Sequence, residues 1–219
     1  MFLYLFQADG QWRPVTEDPS TRIFAGQTGV KSSLKGHPVR EKLSDMFDDS
    51  FWQNLVDETN LYADQFLESA TYVSPHSYIR NCKPVTTEEI KKFMALLVLM
   101  GITRKPSLRE YWSKEKTKEF PIFGETMSRS RFMSILKFLH FRDNSAKPEG
   151  ADRLYKVGTL LDYFRDKFQQ GLSPNQHLSL DEAIIQFQGR LSFKTYNPMK
   201  PTKYGICVYA LSDSKTGFC

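Results

Sequence analysis

Two neighbouring stretches near the C-terminus decide the fold class: residues 178–190, LSLDEAIIQFQGR, and residues 197–205, NPMKPTKYG. In the first stretch, apolar and polar residues alternate, which is typical of a β-strand. The alternation weakens around Asp181, so the strand is expected to be interrupted there. The second stretch carries two prolines and two lysines, which predicts a stiff, basic loop.

Two further strand signals follow the basic loop. Residues 204–211 are rich in β-branched and aromatic side chains and predict a second strand. Residues 212–217 supply turn-forming side chains, and Phe218-Cys219 is interpreted as the start of a third strand that returns along the second. The chain is therefore expected to end inside a sheet.

The part of the chain before Pro174 has helical spacing instead. Thr86 and Glu89 form a capping-box pattern before an apolar run that is expected to stop at Gly101. The other predicted helices are residues 47–67, capped by Asp48, Asp49 or Ser50, a stripe of Phe132, Ile135, Leu136 and Leu139, and residues 160–169. Helices followed by strands predict the α+β class.

Composition excludes several classes of protein. The chain has 219 residues, 40% of them hydrophobic, which is enough for a folded core. Its three cysteines are widely spaced and odd in number, so they predict neither a disulfide framework nor a zinc site. The apolar first six residues lack the features of a signal peptide, and no apolar run approaches the ~20 residues of a membrane span.

Charge is distributed unevenly, although the net charge is only +5. Residues 183–219 hold five Lys and Arg against one acidic residue, and residues 101–142 hold ten against four. This asymmetry favours a face that binds a polyanion, with an ordinary solvated surface as the alternative. Arg129 and Arg131 at a helix start also permit a helix-turn-helix interpretation, against which ordinary packing is favoured.

The order of these residues resembles the piggyBac-type transposases and the domesticated host proteins derived from them. Asp181-Glu182, Phe187 and Gly189-Arg190 match one family segment, and residues 197–205 match a second one, Asn-Pro-x-Lys-Pro-x-Lys-Tyr-Gly. Upstream, Tyr111-Trp112 and residues 127–141 are also similar to the helical region of the family. The resemblance runs from about Phe47 to Cys219.

The resemblance implies an RNase H-like domain in which a strand carries the first of three essential carboxylates that bind Mg²⁺. Asp181 would be this catalytic and metal-binding carboxylate, whereas Glu182 would point to the other face of a regular strand. In the family the second and third carboxylates lie beyond the position of Cys219. The chain is therefore expected to be a truncated, N-terminal part of the family, with Asp181 a vestigial ligand and no stably bound Mg²⁺.

The resemblance also implies partners. DNA would be bound weakly through its phosphate backbone by Arg190, Lys194, Lys200 and Lys203. A homodimer or a full-length relative would be a further partner, without any membrane contact, and the location would be nuclear. The implied domains are an extended or poorly ordered N-terminal segment (1–45), a helical dimerisation or DNA-binding-like domain (46–174) and the truncated start of an RNase H-like transposase domain (175–219).

Three interpretations of function remain open at this point. The first is a catalytically inactive, transposase-derived protein with residual DNA binding. The second is part of a metal-dependent DNA transposase or nuclease that needs the missing carboxylates from a longer isoform or a partner chain. The third is a gene fragment without a selected function.

Overall fold

The computed structural model describes residues 4–6, 12–14, 24–31, 36, 38–74, 77–79 and 82–219. Contacts divide the chain into two compact units. We call Gly36–Lys167 the helical unit, and Met1–Lys35 with Phe168–Cys219 the sheet unit. The predicted domain of residues 46–174 differs from this division at both ends.

The helical unit contains most of the helices. They are α1 (Val39–Met46), α2 (Asp49–Ser69), α3 (Thr87–Ile102), a 3₁₀ helix (Leu108–Trp112), α4 (Pro121–Thr126), α5 (Arg129–Phe138) and the start of α6 (Gly158–Gly171). Across the described part of the chain, no helix combines the length and the apolar character that crossing a bilayer requires.

Local capping residues set where these helices begin. The Asp48 carboxylate accepts a hydrogen bond from the Phe51 N–H, and Thr86 and Glu89 form the reciprocal capping box that the sequence predicts. The predicted stop at Gly101 is wrong, because α3 continues to Ile102 and its C-cap is Thr103. The backbone of Gly101 is not left-handed, so nothing ends the helix at this residue.

Aromatic side chains form the core of the helical unit. Phe93, Phe123, Phe132 and Phe138 are fully or almost fully buried. The predicted stripe on α5 is correct for Phe132 and Ile135 but wrong for Leu136, which is 39% exposed. Phe138 is buried instead. Counted from Phe132, the face of α5 that meets α2 and α3 contains the third and sixth following residues, Ile135 and Phe138, and not the fourth.

The predicted N-terminal segment is described only in part, and most of its turn residues lie outside the described residues. Residues 39–46 are helical, which differs from the extended or poorly ordered segment predicted for residues 1–45 at its C-terminal end. Pro38 precedes the helix and Glu41 lies in its first turn, where an acidic residue stabilises a helix start.

Two short strand pairs belong to the sheet unit. β1 (Tyr4–Phe6) pairs with β2 (Trp12–Pro14). β3 (Gly29–Val30) pairs with β4 (Leu172–Ser173).

The sheet unit also contains a three-stranded antiparallel sheet. Its strands are β5 (Leu178–Gln186), β6 (Thr195–Tyr196) and β7 (Tyr204–Asp213), in the order β5-β7-β6. β5 is continuous, since Asp181 pairs with Ala210, and the predicted interruption is wrong. Phe218-Cys219 forms no strand; the third strand is β6, on the other side of β7. The predicted α+β class is confirmed.

Candidate nucleic-acid interface around Asp181

Asp181 lies near the middle of β5, with its side chain 82% exposed. Its Oδ1 accepts a hydrogen bond of 2.7 Å from the Glu182 N–H and lies 3.9 Å from Lys200 Nζ. The carboxylate is therefore accessible to solvent but already has a cationic neighbour from the basic loop.

A second carboxylate does not join Asp181. Side chains alternate along a strand, so Glu182 projects to the opposite face of the sheet. Within the described ranges, no group of three or more His, Cys, Asp or Glu side chains is arranged to hold a metal ion. Mg²⁺ needs near-octahedral oxygen ligation, and these residues offer one carboxylate on this face, so they do not by themselves fit the metal that the family resemblance implies.

Asp213 is a buried carboxylate at the far end of β7. It pairs with Leu178, which lies on the opposite face from Asp181. Its Oδ2 accepts hydrogen bonds from the Asn175 backbone (2.5 Å) and side chain (2.8 Å). Its Oδ1 accepts three more from Lys215 and Thr216. These bonds, above all the one from the Asn175 N–H, hold the pKa of Asp213 well below its ordinary value. Asp213 therefore holds the turn at Asn175 and the turn after β7, and it does not share a metal-binding face with Asp181.

The basic loop between β6 and β7 is closed by its own backbone. The Asn197 N–H donates to Lys203 O over 2.8 Å, and the Asn197 side-chain oxygen accepts from the Met199 N–H over 3.0 Å. Tyr196 and Tyr204 pair at the base of the loop, with ring centroids 4.6 Å apart. Because its base and its turn are both fixed, the loop presents its charged side chains from defined positions.

The four predicted DNA-binding residues have different environments. Lys200 donates to Glu182 O (2.9 Å), and Lys194 donates to Gly189 O (3.1 Å). Arg190 and Lys203 are exposed, and no hydrogen bond or ion pair to another described residue holds their side chains. The structure brings Lys200 to Asp181, whereas Arg190 and Lys203 keep their charges unpaired within the described residues.

The tyrosine pair is a feature that the sequence interpretation missed. Tyr196 is 55% exposed and Tyr204 is 52% exposed, so both rings are accessible beside the basic loop. The signal was present in the sequence, because the two tyrosines flank the loop symmetrically. Exposed aromatic rings next to lysines are a common feature of surfaces that bind nucleic acid.

Arg131, which the helix-turn-helix interpretation would use to contact bases, is held inside the helical unit. Its Nε and Nη2 donate to the two carboxylate oxygens of Glu89 over 2.9 and 2.8 Å. Its Nη1 and Nη2 also donate to the carbonyls of Lys83 and Pro84. The hydrogen bond from Arg131 holds the pKa of Glu89 below its ordinary value. Arg131 therefore joins α5 to the start of α3 and is not free to bind a base.

Replacement of Arg131 by alanine is expected to lower the free energy of unfolding of the helical unit by about 2 kcal/mol, because Glu89 and two carbonyls lose their donors. The matched control is Arg129→Ala at the exposed start of the same helix, with an expected change within about 0.5 kcal/mol. Urea unfolding followed by circular dichroism measures both. Equal effects of the two substitutions would contradict the structural role of Arg131.

Comparison with known proteins identifies the family of the chain. A family model described as Transposase IS4 matches residues 40–219. The chain belongs to this family. It is 25% identical over 169 residues to human PiggyBac transposable element-derived protein 2, covering 77% of this chain and 26% of that protein. It is 28% identical over 177 residues to human PiggyBac transposable element-derived protein 5, covering 78% of this chain and 31% of that protein.

A solved transposase structure has a similar fold. It is the cryo-EM structure of a piggyBac transposase synaptic complex with hairpin DNA, with a TM-score of 0.74 and 24% identity. The match covers 87% of this chain and 39% of the transposase chain. The resemblance to piggyBac-type transposases is confirmed, and the chain spans about a quarter to a third of the length of these two curated relatives.

Proposed function

We propose that this piggyBac-type chain is a transposase-derived protein that binds the DNA backbone and does not cleave it. The observation that carries this proposal is the loop of residues 197–203, which is fixed at its base and displays Lys203 beside the exposed Tyr196 and Tyr204. A loop whose backbone is already fixed loses little further conformational entropy when its lysines contact phosphates, and exposed aromatic rings stack on unpaired bases without sequence preference.

The donor set around Asp181 supports the inactive interpretation. Phosphoryl transfer by this class of enzyme needs carboxylates that hold divalent ions at the scissile phosphate. Among the described residues, Asp181 has a lysine as its charged neighbour and no second carboxylate on its face. The proposed role is therefore DNA binding without an essential metal. The family resemblance adds a nuclear location, and the chain would act alone, as a homodimer or with a longer relative.

Substitution of Lys203 or of Arg190 by alanine is expected to weaken binding to duplex DNA and to flatten its salt dependence. Each lost phosphate contact should reduce the slope of log K against log[salt] by about 0.9, equally for unrelated DNA sequences. Fluorescence anisotropy over a salt series measures the slope, and circular dichroism on the same sample establishes that the protein is folded.

Lys215→Ala is the matched control for these substitutions. Lys215 is an exposed lysine in the turn after β7, at the opposite end of that strand from the basic loop. Its removal lowers the net charge by the same amount but should leave the slope unchanged. If Lys203→Ala and Arg190→Ala bind DNA with the wild-type slope, these two residues do not form the interface.

A second candidate function rests on the open edge of β5. Since β5 pairs only with β7 among the described strands, another chain can extend the sheet there and bring further carboxylates to Asp181. In this case metal-dependent DNA cleavage appears when the chain is mixed with a longer relative and not with either protein alone. The cleavage must also be lost with Asp181→Asn, since otherwise Asp181 has no part in it.

A further inference from the structure

The connection between α5 and α6, residues 139–157, contains no helix or strand, and its first residues lie on one face of α2. The His140 N–H donates to Thr59 Oγ1 over 3.3 Å. The His140 ring is stacked on the Tyr62 ring, with centroids 4.1 Å apart. Side chains of α2 therefore fasten the start of this connection to the helix.

Three side-chain atoms of α2 and this connection are screened from solvent and have no hydrogen-bond partner. They are Glu58 Oε2, His140 Nε2 and Asn144 Oδ1, and within the described residues no other side-chain atom is in this state. Glu58 lies one turn before Tyr62, on which His140 rests, so the two groups are neighbours. With its proton on Nδ1, a neutral imidazole presents Nε2 as an acceptor. These three acceptors, which we call the acceptor cluster, lack a donor, and buried acceptors without one are costly.

Charges of both signs surround Glu58. Asp57 precedes it on α2, and Asp143, His140 and Arg142 act on it from the connection. Burial, and after it the negative charge of Asp143, raises the pKa of Glu58 above its ordinary value, although positive charge on His140 or Arg142 opposes this. Because burial and like charge dominate, this carboxylate favours a bound proton.

The charged neighbours on the connection have contacts of their own. Asp143 Oδ1 accepts from the Ser145 N–H over 2.9 Å and from the Gln65 side chain over 3.0 Å. Hydrogen bonds from the side chains of Ser145 and Gln65 hold the pKa of Asp143 below its ordinary value. The Arg142 guanidinium lies 4.0 Å from the centroid of the Tyr155 ring. The nearby negative charge therefore persists, and the nearby guanidinium faces an aromatic ring.

We propose that Glu58 binds a proton from solvent and donates it to His140 Nε2, so that proton binding fastens the connection after α5 to α2. The O–H group supplies the donor that the acceptor cluster lacks, and protonation removes a negative charge that Asp143 repels. When the proton returns to solvent, the hydrogen bond is lost and two carboxylates face each other. All of these residues belong to the helical unit, so the proton site does not depend on DNA binding by the basic loop.

The sign of the pH dependence follows from the raised pKa of Glu58 in the folded protein. The stabilising contribution is complete below the ordinary glutamate pKa of about 4.3 and is lost as pH rises through the folded value. A single proton changes the unfolding equilibrium constant by at most about tenfold per pH unit. The helical unit should therefore be held more firmly in mildly acidic solution than at neutral pH.

Glu58→Gln in the full chain tests the proton site, because glutamine has a similar size and carries a donor at every pH. Between pH 4 and pH 7 the unfolding equilibrium constant should rise at least about threefold more for the wild type than for this variant. Urea unfolding followed by circular dichroism measures both. Glu68→Gln, at an exposed position of α2, is the matched control and should keep the wild-type pH dependence. The same pH dependence in Glu58→Gln and the wild type would overturn the proposal.

Carbon-13 NMR of the Glu58 carboxyl gives a test in the wild type that requires no variant to fold. Its titration midpoint should lie above the ordinary value of about 4.3, and a midpoint at or below that value would end the proposal. His140→Phe keeps an aromatic ring beside Tyr62 but removes the acceptor, so it should lower this midpoint. A higher midpoint would show that His140 acts on Glu58 as a cation, and an unchanged one that the two are not joined; either result contradicts the proposed hydrogen bond.

Hydrogen exchange shows whether the proton fastens the connection. The His140 N–H reports on it directly, because its acceptor is Thr59 Oγ1 on α2. Relative to the Phe132 N–H, which is bonded to Ser128 O in α5, its protection factor should fall at least about threefold from pH 4 to pH 7 in the wild type. In Glu58→Gln it should stay constant. Constant protection of His140 in the wild type would show that the proton does not control this contact, and the proposal would fail.

Discussion

Replacement of Phe132 by alanine is expected to lower the free energy of unfolding of the helical unit by about 4 kcal/mol. Phe132 is completely buried, and its ring centroid lies 4.8 Å from that of Phe93 and 5.0 Å from that of Trp112. Removal of the ring leaves a cavity among side chains from different helices, which cannot all move to fill it. Urea unfolding followed by circular dichroism at 222 nm measures the loss.

Leu136→Ala is the matched control for this substitution. Leu136 lies one turn further along α5 and is 39% exposed, so its truncation should cost less than about 1 kcal/mol. The sequence pattern places both residues on one apolar stripe and therefore predicts similar losses. Similar measured losses would contradict the burial that the structure assigns to α5.

Gly205→Ala is expected to disrupt the pairing of β5 with β7, at a cost of about 3 kcal/mol in the sheet unit. A Cβ on Gly205 would lie 2.2 Å from Ile185 O and 2.7 Å from Ile184 Cγ2. The first of these atoms belongs to the backbone of the paired strand, so the clash is relieved only if the two strands separate. Hydrogen exchange of the odd-numbered amides of β5 should therefore accelerate in the variant.

Gly101→Ala is the control, and it is expected to raise the free energy of unfolding instead of lowering it. Gly101 lies in α3, and a Cβ there would have no atom within 4 Å. Alanine at an unhindered helical position raises the free energy of unfolding by about 0.5–1 kcal/mol. Wild-type exchange of the β5 amides in Gly205→Ala would show that the strands have room for a side chain.

Features encoded by neighbouring residues were predictable from the sequence. The Thr86–Glu89 capping box needs residues only three positions apart, and the alternation along β5 is local in the same way. β6 was missed because two residues are too few to show a period. Asp181 was placed on a strand by the same local pattern, and its catalytic and metal-binding role stays a prediction.

Contacts between distant residues were not predictable. The Arg131–Glu89 pair joins residues 42 positions apart, and no pattern in either segment indicates the other. The same holds for Lys200 and Glu182, which are separated by 18 positions. In both cases a charge that looked available for a ligand is used within the fold. Tertiary contacts determine which basic side chains remain available for a ligand, and a count of charged residues in the sequence does not show this.

The exposed side chains of the three-stranded sheet have a consequence for the life of this protein in a cell. Leu180, Tyr209 and Leu211 share one face of the sheet, and Ile185 and Val208 share the other; all five are exposed. Chaperones and proteases recognise apolar surface of this kind as a sign of incomplete folding. We therefore expect the cellular abundance of the chain to depend on what covers this sheet as well as on the stability of the helical unit.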